Sequence, residues 1–224
     1  MKTGQSNIGK LGMIHLNGDL LCAIDTETTG LHPGKNDIIE IAIVPLGEDL
    51  KVLQQVPIFH LFMQPGHPEN ISPEAMKVNK IDLAKLAIEG VDPFTGADLL
   101  DRWFANIGLV PGKKICPLGQ NWPFDGAFIK SWIGPENFEA IFSHRFRELT
   151  SAILFCNDRD YFAHRRIRFP QVNLGAVAKE LDVKHARAHT ALDDALVLAE
   201  CYRRMMRFPI EKGIDLPPSE LFND

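Results

Sequence analysis

Apolar residues recur along this chain with two different periods. Leu20 to Thr26 is a compact apolar run, Ile38 to Leu46 places isoleucines at 39, 41 and 43, and Lys51 to Met63 is a third stretch of the same kind. A period of two is strand spacing, so these segments predict three strands in an open meander, with Gly30 to Asn36 as a turn. Further along, the period lengthens to that of a helix. Ser72-Pro73 supplies a cap and a first-turn proline, and Thr95 begins a helix carrying Leu99, Leu100, Trp103, Phe104 and Ile107. Lys113 to Leu118 reads as a buried strand. Helical spacing then returns in Phe124, Phe128, Ile129 and Trp132, in Leu149, Ile153 and Leu154, in Leu174, Val177, Ala178 and Leu181, and from Ala191 to Met206. Strands followed by strands mixed with helices predict an α/β domain: a mixed sheet with helices packed on it and no internal repeat. Residues 1–19 and 209–224 lack either period, which divides the chain into an N-terminal extension, a domain over 20–208 and a C-terminal tail.

Composition agrees with one ordinary globular domain: 224 residues, 45% apolar and 24% charged. The charge-free run from Val52 to Pro68 is interrupted by Gln54, Gln55, Pro57, Gln64 and Pro65, so no membrane span is expected. The first ten residues have no apolar core of a secretion signal, and Cys22, Cys116, Cys156 and Cys201 form no CxxC pair. Reduced thiols in a cytoplasmic protein are the expectation. The net charge of −5 argues against a passive coat for nucleic acid, which needs surplus basic residues. It does not argue against an enzyme whose acids gather around cations, since two bound divalent ions would bring −5 to −1.

The most informative segment is Asp25-Thr26-Glu27-Thr28-Thr29-Gly30. In a strand, residues i and i+2 share a face, so Asp25 and Glu27 aim two carboxylates at one point out of an apolar run. Such a pair requires a shared proton, a basic partner or a cation, and hard oxygen ligands suit Mg²⁺ or Mn²⁺. The plainer alternative is that one of them caps the Thr28-Thr29-Gly30 turn. Asp125, where a strand passes into a helix, reads by itself first as a helix cap. A third cluster runs from His185 to Asp194. His189 and Asp194 lie five apart, about 140° around a helix, so they share a site only if His189 is in the loop or first turn; Asp193, four residues on, has the simpler spacing.

Taken together, these segments resemble the DEDDh group of 3′→5′ exonucleases, the family of the epsilon proofreading subunit, ribonuclease T and the three-prime repair exonucleases. The group's D-x-E-T-T-G-L stands as Asp25 to Leu31, its Asn followed by Phe-Asp as Asn121 and Phe124-Asp125, and its H-x₄-D as His189 to Asp194. The resemblance spans about residues 20–207. It implies a ribonuclease H-like fold with a mixed five-stranded sheet flanked by helices. Asp25, Glu27, Asp125 and Asp194 would hold two divalent metal ions, Mg²⁺ or Mn²⁺, with His189 as general base, releasing nucleoside monophosphates from the 3′ end of single-stranded DNA or RNA. It also implies substrate contacts at the Thr28 backbone and at Leu31, the latter as a wedge against terminal bases or as core. Arg187 and His185, on the same loop, would touch phosphate or stand as solvated surface charge. The resemblance leaves room for a homodimer or a polymerase partner.

Two places depart from the group's pattern. Val78-Asn79-Lys80-Ile81 stands where many relatives have His-Gly-Ile after a helix, and Gln120-Asn121-Trp122 where they often have His-Asn-Ala. Trp122 thus reads either as a stacking surface for a base or as packing against Phe124. Arg145 to Pro170 carries six arginines interleaved with Tyr161, Phe162 and Phe169, a strand-tracking groove or a solvated loop. Two rival functions have the same fold: a binding module that lost its chemistry, and a ribonuclease H-like endonuclease. A complete set of mutually repelling acids argues against the first.

Overall fold

The computed structural model describes residues 14–186 and 188–206. Five strands form one sheet in the order β3-β2-β1-β4-β5: β1 (Leu20–Thr28), β2 (Ile38–Pro45), β3 (Phe59–Phe62), β4 (Ile115–Gly119) and β5 (Arg147–Glu148). β1, β2 and β3 are antiparallel neighbours, whereas β4 lies parallel to β1 and β5 parallel to β4. The mixed sheet and the meander therefore stand as expected. Among the described residues the helices are α1 (Pro73–Asn79), α2 (Leu83–Glu89), α3 (Pro93–Asn106), α4 (Trp122–Ile133), α5 (Pro135–Ile141), α6 (Leu149–Phe162), α7 (Leu174–Glu180) and α8 (Ala191–Met206).

Alternation along β1 divides the interior in two. Leu20, Cys22 and Ile24 face a core shared with α3, α4 and α5, including Leu100, Phe128, Ile129 and Ile141. Leu21 and Ala23 face the other core, with Leu149, Ile153, Val177, Ala178, Ala195 and Leu198 from α6, α7 and α8. Each fully buried aliphatic contributes about 1.5–3 kcal/mol through lost apolar exposure. Asp25 and Glu27 continue the second series, so the two acids emerge where the face covered by α8 reaches the end of the strand. No helix of the described residues is long and apolar enough to cross a membrane. The four cysteines are unpaired, three of them buried.

Several boundaries differ from the sequence-based expectations for local reasons. The third strand is confined to Phe59–Phe62, because residues 51–57 turn and leave only a bridge from Val52 to Leu46. The helix expected from Thr95 starts at Pro93, since Asp92 caps it by accepting from the Phe94 and Thr95 amides, both at 3.0 Å. The helices α2 and α5 and the two-residue β5 have no counterpart in the sequence-based expectations. The helix expected from Leu149, Ile153 and Leu154 runs on to Phe162, so only part of the basic stretch is loop. The C-terminal tail and most of the N-terminal extension lie outside the described residues.

Candidate active site

The site is built where β1 outruns its parallel neighbour. β4 pairs with β1 only over Leu20 to Ala23, so past Ala23 that edge of β1 has no strand beside it among the described residues. Asp125, in the first turn of α4, occupies the opening. Its Oδ1 accepts from the Thr26 amide at 3.0 Å and the Thr26 hydroxyl at 2.6 Å. Asp125 is therefore no helix cap: its carboxylate is fastened to β1 across a sequence separation of 99 residues. Nor do Asp25 and Glu27 close the following turn. That turn is held by the Thr28 hydroxyl donating to the Gly30 carbonyl at 2.6 Å and by Thr29 Oγ1 accepting from the Asp37 amide at 2.9 Å. Gly30 is required there by close approach, because a Cβ would stand 2.5 Å from the Asn36 side chain.

α8 delivers the remaining groups. Asp194 is buried in its first turn and accepts from the His189 amide at 3.2 Å through Oδ2. His189 lies in the loop before the helix with φ +66°, exposed, and this non-helical placement lets the five-residue spacing work. One ligand atom each from Glu27, His189 and Asp194 lie within 4.8 Å of one another. Asp193 points elsewhere, lining a surface hollow with Asp182, Lys184 and Glu200.

Burial and crowding shift the protonation of these acids. Burial, followed by the charges of Asp125, Asp194, Glu27 and Glu40, pushes the Asp25 carboxyl well above its usual range. Glu27 is pushed up to about 8 by burial and by Asp194, Glu40 and Asp125. Asp125 is raised by burial to about 7, with the Thr26 hydrogen bonds pulling the other way. Carboxylates gathered with no arginine or lysine paired to them among the described residues are a hard-oxygen ligand set, and divalent cations are the partners that fit it.

One residue of this cluster escaped the sequence reading, and a second, His185, was read for a different contact. Glu40, fully buried on β2, is the cross-strand partner of Glu27; its Oε1 lies 2.8 Å from His60 Nε2, while its Oε2 has no hydrogen-bond partner. A lone carboxylate inside Ile38-Ile39-Glu40-Ile41 was the available signal. His185 turns its Nε2 to within 2.5 Å of Asp194 Oδ1, so it contacts a site acid.

The expected substrate contacts fare unevenly. Leu31 is 74% exposed, which removes the core reading; it lines a hollow of about 370 Å³ with His32, Lys35 and Ser72. The Thr28 carbonyl accepts from Asn79 Nδ2 at 3.2 Å, so the residue standing in place of the relatives' histidine ties α1 to the end of β1. Lys80 adopts the left-handed cap, φ 57°, at the position where those relatives have glycine. Trp122 is not a base-stacking surface. It is 6% exposed, packed on Phe138 and Phe142 at centroid distances of 6.4 and 6.1 Å, because Pro123 and the turn at Asn121 rotate its ring into the α4–α5 core. Arg187 lies outside the described residues.

A five-stranded mixed sheet with this helical cover and acids gathered at the end of its central strand defines a ribonuclease H-like nuclease fold. Residues 22–109 match the profile of the exonuclease family. A 3′-5′ DNA exonuclease of Escherichia coli, Cap18, is 23% identical over 197 residues, covering 88% of this chain and 97% of that protein. Among solved structures, E. coli Exonuclease I in complex with a dT13 oligonucleotide superposes with a TM-score of 0.64 at 17% identity, over 83% of this chain. The zinc-bound form of its complex with single-stranded DNA gives 0.64 at 18% over the same share. The chain spans about 40% of the length of Exonuclease I. The match to the exonuclease family and the similarity to these relatives support a 3′→5′ exonuclease.

Proposed function

We propose that the chain removes nucleoside monophosphates one at a time from the 3′ end of single-stranded nucleic acid, with DNA as its favoured form, in a reaction that depends on divalent metal ions. The observation that carries this reading is the convergence of Asp25, Glu27, Asp125 and Asp194 beside the loop that bears His189. The DNA exonuclease named among the relatives and the single-stranded DNA complexes of Exonuclease I support the substrate.

The four acids would hold two Mg²⁺ or Mn²⁺ ions, which when bound supply Lewis-acid stabilisation of the reacting phosphate and acidify the attacking water. The chain's own residues do the rest. Thr26 fixes the Asp125 carboxylate through two hydrogen bonds, so that one ligand arm is preorganised. His189, exposed on its loop, takes the proton of the attacking water. Leu31, exposed four residues beyond Glu27 in the chain, presses its apolar side chain against the terminal base and holds the end splayed.

The test is digestion of a 5′-labelled oligonucleotide with Mg²⁺ or Mn²⁺, on DNA and RNA of matched sequence. A descending ladder, lost in Asp25→Asn and Asp194→Asn with the fold intact, is the expected result. Scattered internal cuts would make the protein an endonuclease, and unchanged substrate with retained binding would make it a binding module. Faster turnover of RNA than DNA would overturn the preference.

A further inference from the structure

α6 has an outer face that neither the fold nor the site accounts for. The helix buries Leu149, Ile153 and Asp160, yet leaves Leu154, Phe155, Tyr161 and Phe162 in solvent, with Phe155 67% and Phe162 84% exposed. Phe155 and Phe162 are seven residues apart, two helical turns, and so share one stripe with exposed Arg159 between them. Tyr161 stands edge-on to Phe162 at 6.4 Å, widening the stripe. Large apolar side chains grouped in this way on a surface mark a binding face.

Its surroundings indicate what binds. Residues 144–170 carry six of the chain's 24 basic residues and three of its 29 acidic ones, so the rest of the chain holds 18 against 26. Of those three acids, Asp160 is buried and Glu148 is engaged as a helix cap. A surface on which rings alternate with guanidinium, set on the basic part of an acidic protein, matches bases and phosphates rather than an apolar partner.

The position of α6 also suits it. Glu148, the N-cap of the helix, accepts from the Asn121 amide at 2.7 Å and the Trp122 amide at 2.6 Å, so α6 starts against the first residues of α4, one turn from Asp125. From there its 14 residues extend about 21 Å at 1.5 Å each. We propose that the outer face of α6 is a track for single-stranded nucleic acid, which stacks bases on Phe155, Tyr161 and Phe162, neutralises phosphate with Arg159, and so anchors the strand whose 3′ end occupies the site.

The proposal rests on the nuclease reading, and the experiment separates the two. The full chain, the double variant Phe155→Ser/Phe162→Ser and the variant Arg159→Gln are compared on a dinucleotide, too short to reach along α6, and on a 20-mer. In parallel, anisotropy measures 20-mer binding by Asp194→Asn with and without the double substitution. The double variant is expected to raise KM for the 20-mer at least about tenfold, as for lost stacking of bases, with kcat and dinucleotide turnover unchanged. Binding should weaken by a similar factor, and Arg159→Gln should lower the salt-dependence slope by about 0.7, as for one phosphate contact on a single strand. An unchanged KM and unchanged binding would overturn the track. A dimer in sedimentation that the double variant dissociates, with 20-mer binding unaltered, would overturn it too and assign the face to a second copy. If neither substrate is cut, the nuclease reading fails, while the anisotropy still decides the track.

Discussion

Removing a charge from the acid cluster should stabilise the metal-free protein, and Glu27→Gln tests this most directly. Glu27 has an ordinary value near 4.5 and is held at about 8 in the folded chain by burial and by Asp194, Glu40 and Asp125. Between those values the unfolded chain has given up the proton and the folded chain keeps it, so stability falls as pH rises through the window; below about 4.5 the effect vanishes. At about 1.36 kcal/mol per pH unit, the range from 4.5 to 8 sets a ceiling of about 5 kcal/mol at pH 8. Because the Glu27 carboxyl still meets water on one side, about 1–2 kcal/mol is the expected contribution. Glutamine keeps the shape and removes the charge. For a chain of this size, Glu27→Gln should therefore melt about 3–6 °C above the parent at pH 8 in chelator, with the gap nearly closed at pH 5. Added Mn²⁺ should raise the melting temperature of the parent more than that of the variant, reversing their order. Scanning calorimetry at both pH values, with and without metal, measures all of this. A variant equally displaced at pH 5 and pH 8, or less stable than the parent at pH 8, would show that the acids do not repel one another and would remove the argument for a cation site.

Two further expectations follow from the same geometry. His189→Ala should lower kcat about 10²–10⁴-fold at neutral pH while calorimetric Mn²⁺ affinity is largely kept, as for a lost general base; activity retained with weakened metal binding would make His189 a ligand instead. Trp122→Ala should cost about 3–5 kcal/mol in denaturant unfolding, as for a large aromatic lost from a packed core, with KM for short oligonucleotides unchanged; a raised KM without loss of stability would return Trp122 to the substrate.

Much of this architecture follows from local patterning. The alternation in β1 and β2 and the helical spacing of α4, α7 and α8 locate the elements, because burial on one side of a strand or helix repeats at its own period. That same alternation places Asp25 and Glu27 on one face, and the motif resemblance brings in Asp125 and Asp194. Tertiary structure decided what depends on distant pairs. Whether Asp125 caps α4 or reaches Thr26 depends on β4 stopping short of β1, and the pairing of Glu40 opposite Glu27 depends on strand register. Likewise, the ring of Trp122 turns inward only because α5 supplies Phe138 and Phe142, and the aromatic stripe of α6 becomes a surface only because no other described element covers it. A period along the chain reports which side of an element is apolar, whereas the neighbours that fill or leave open that side are set by contacts between residues far apart in sequence.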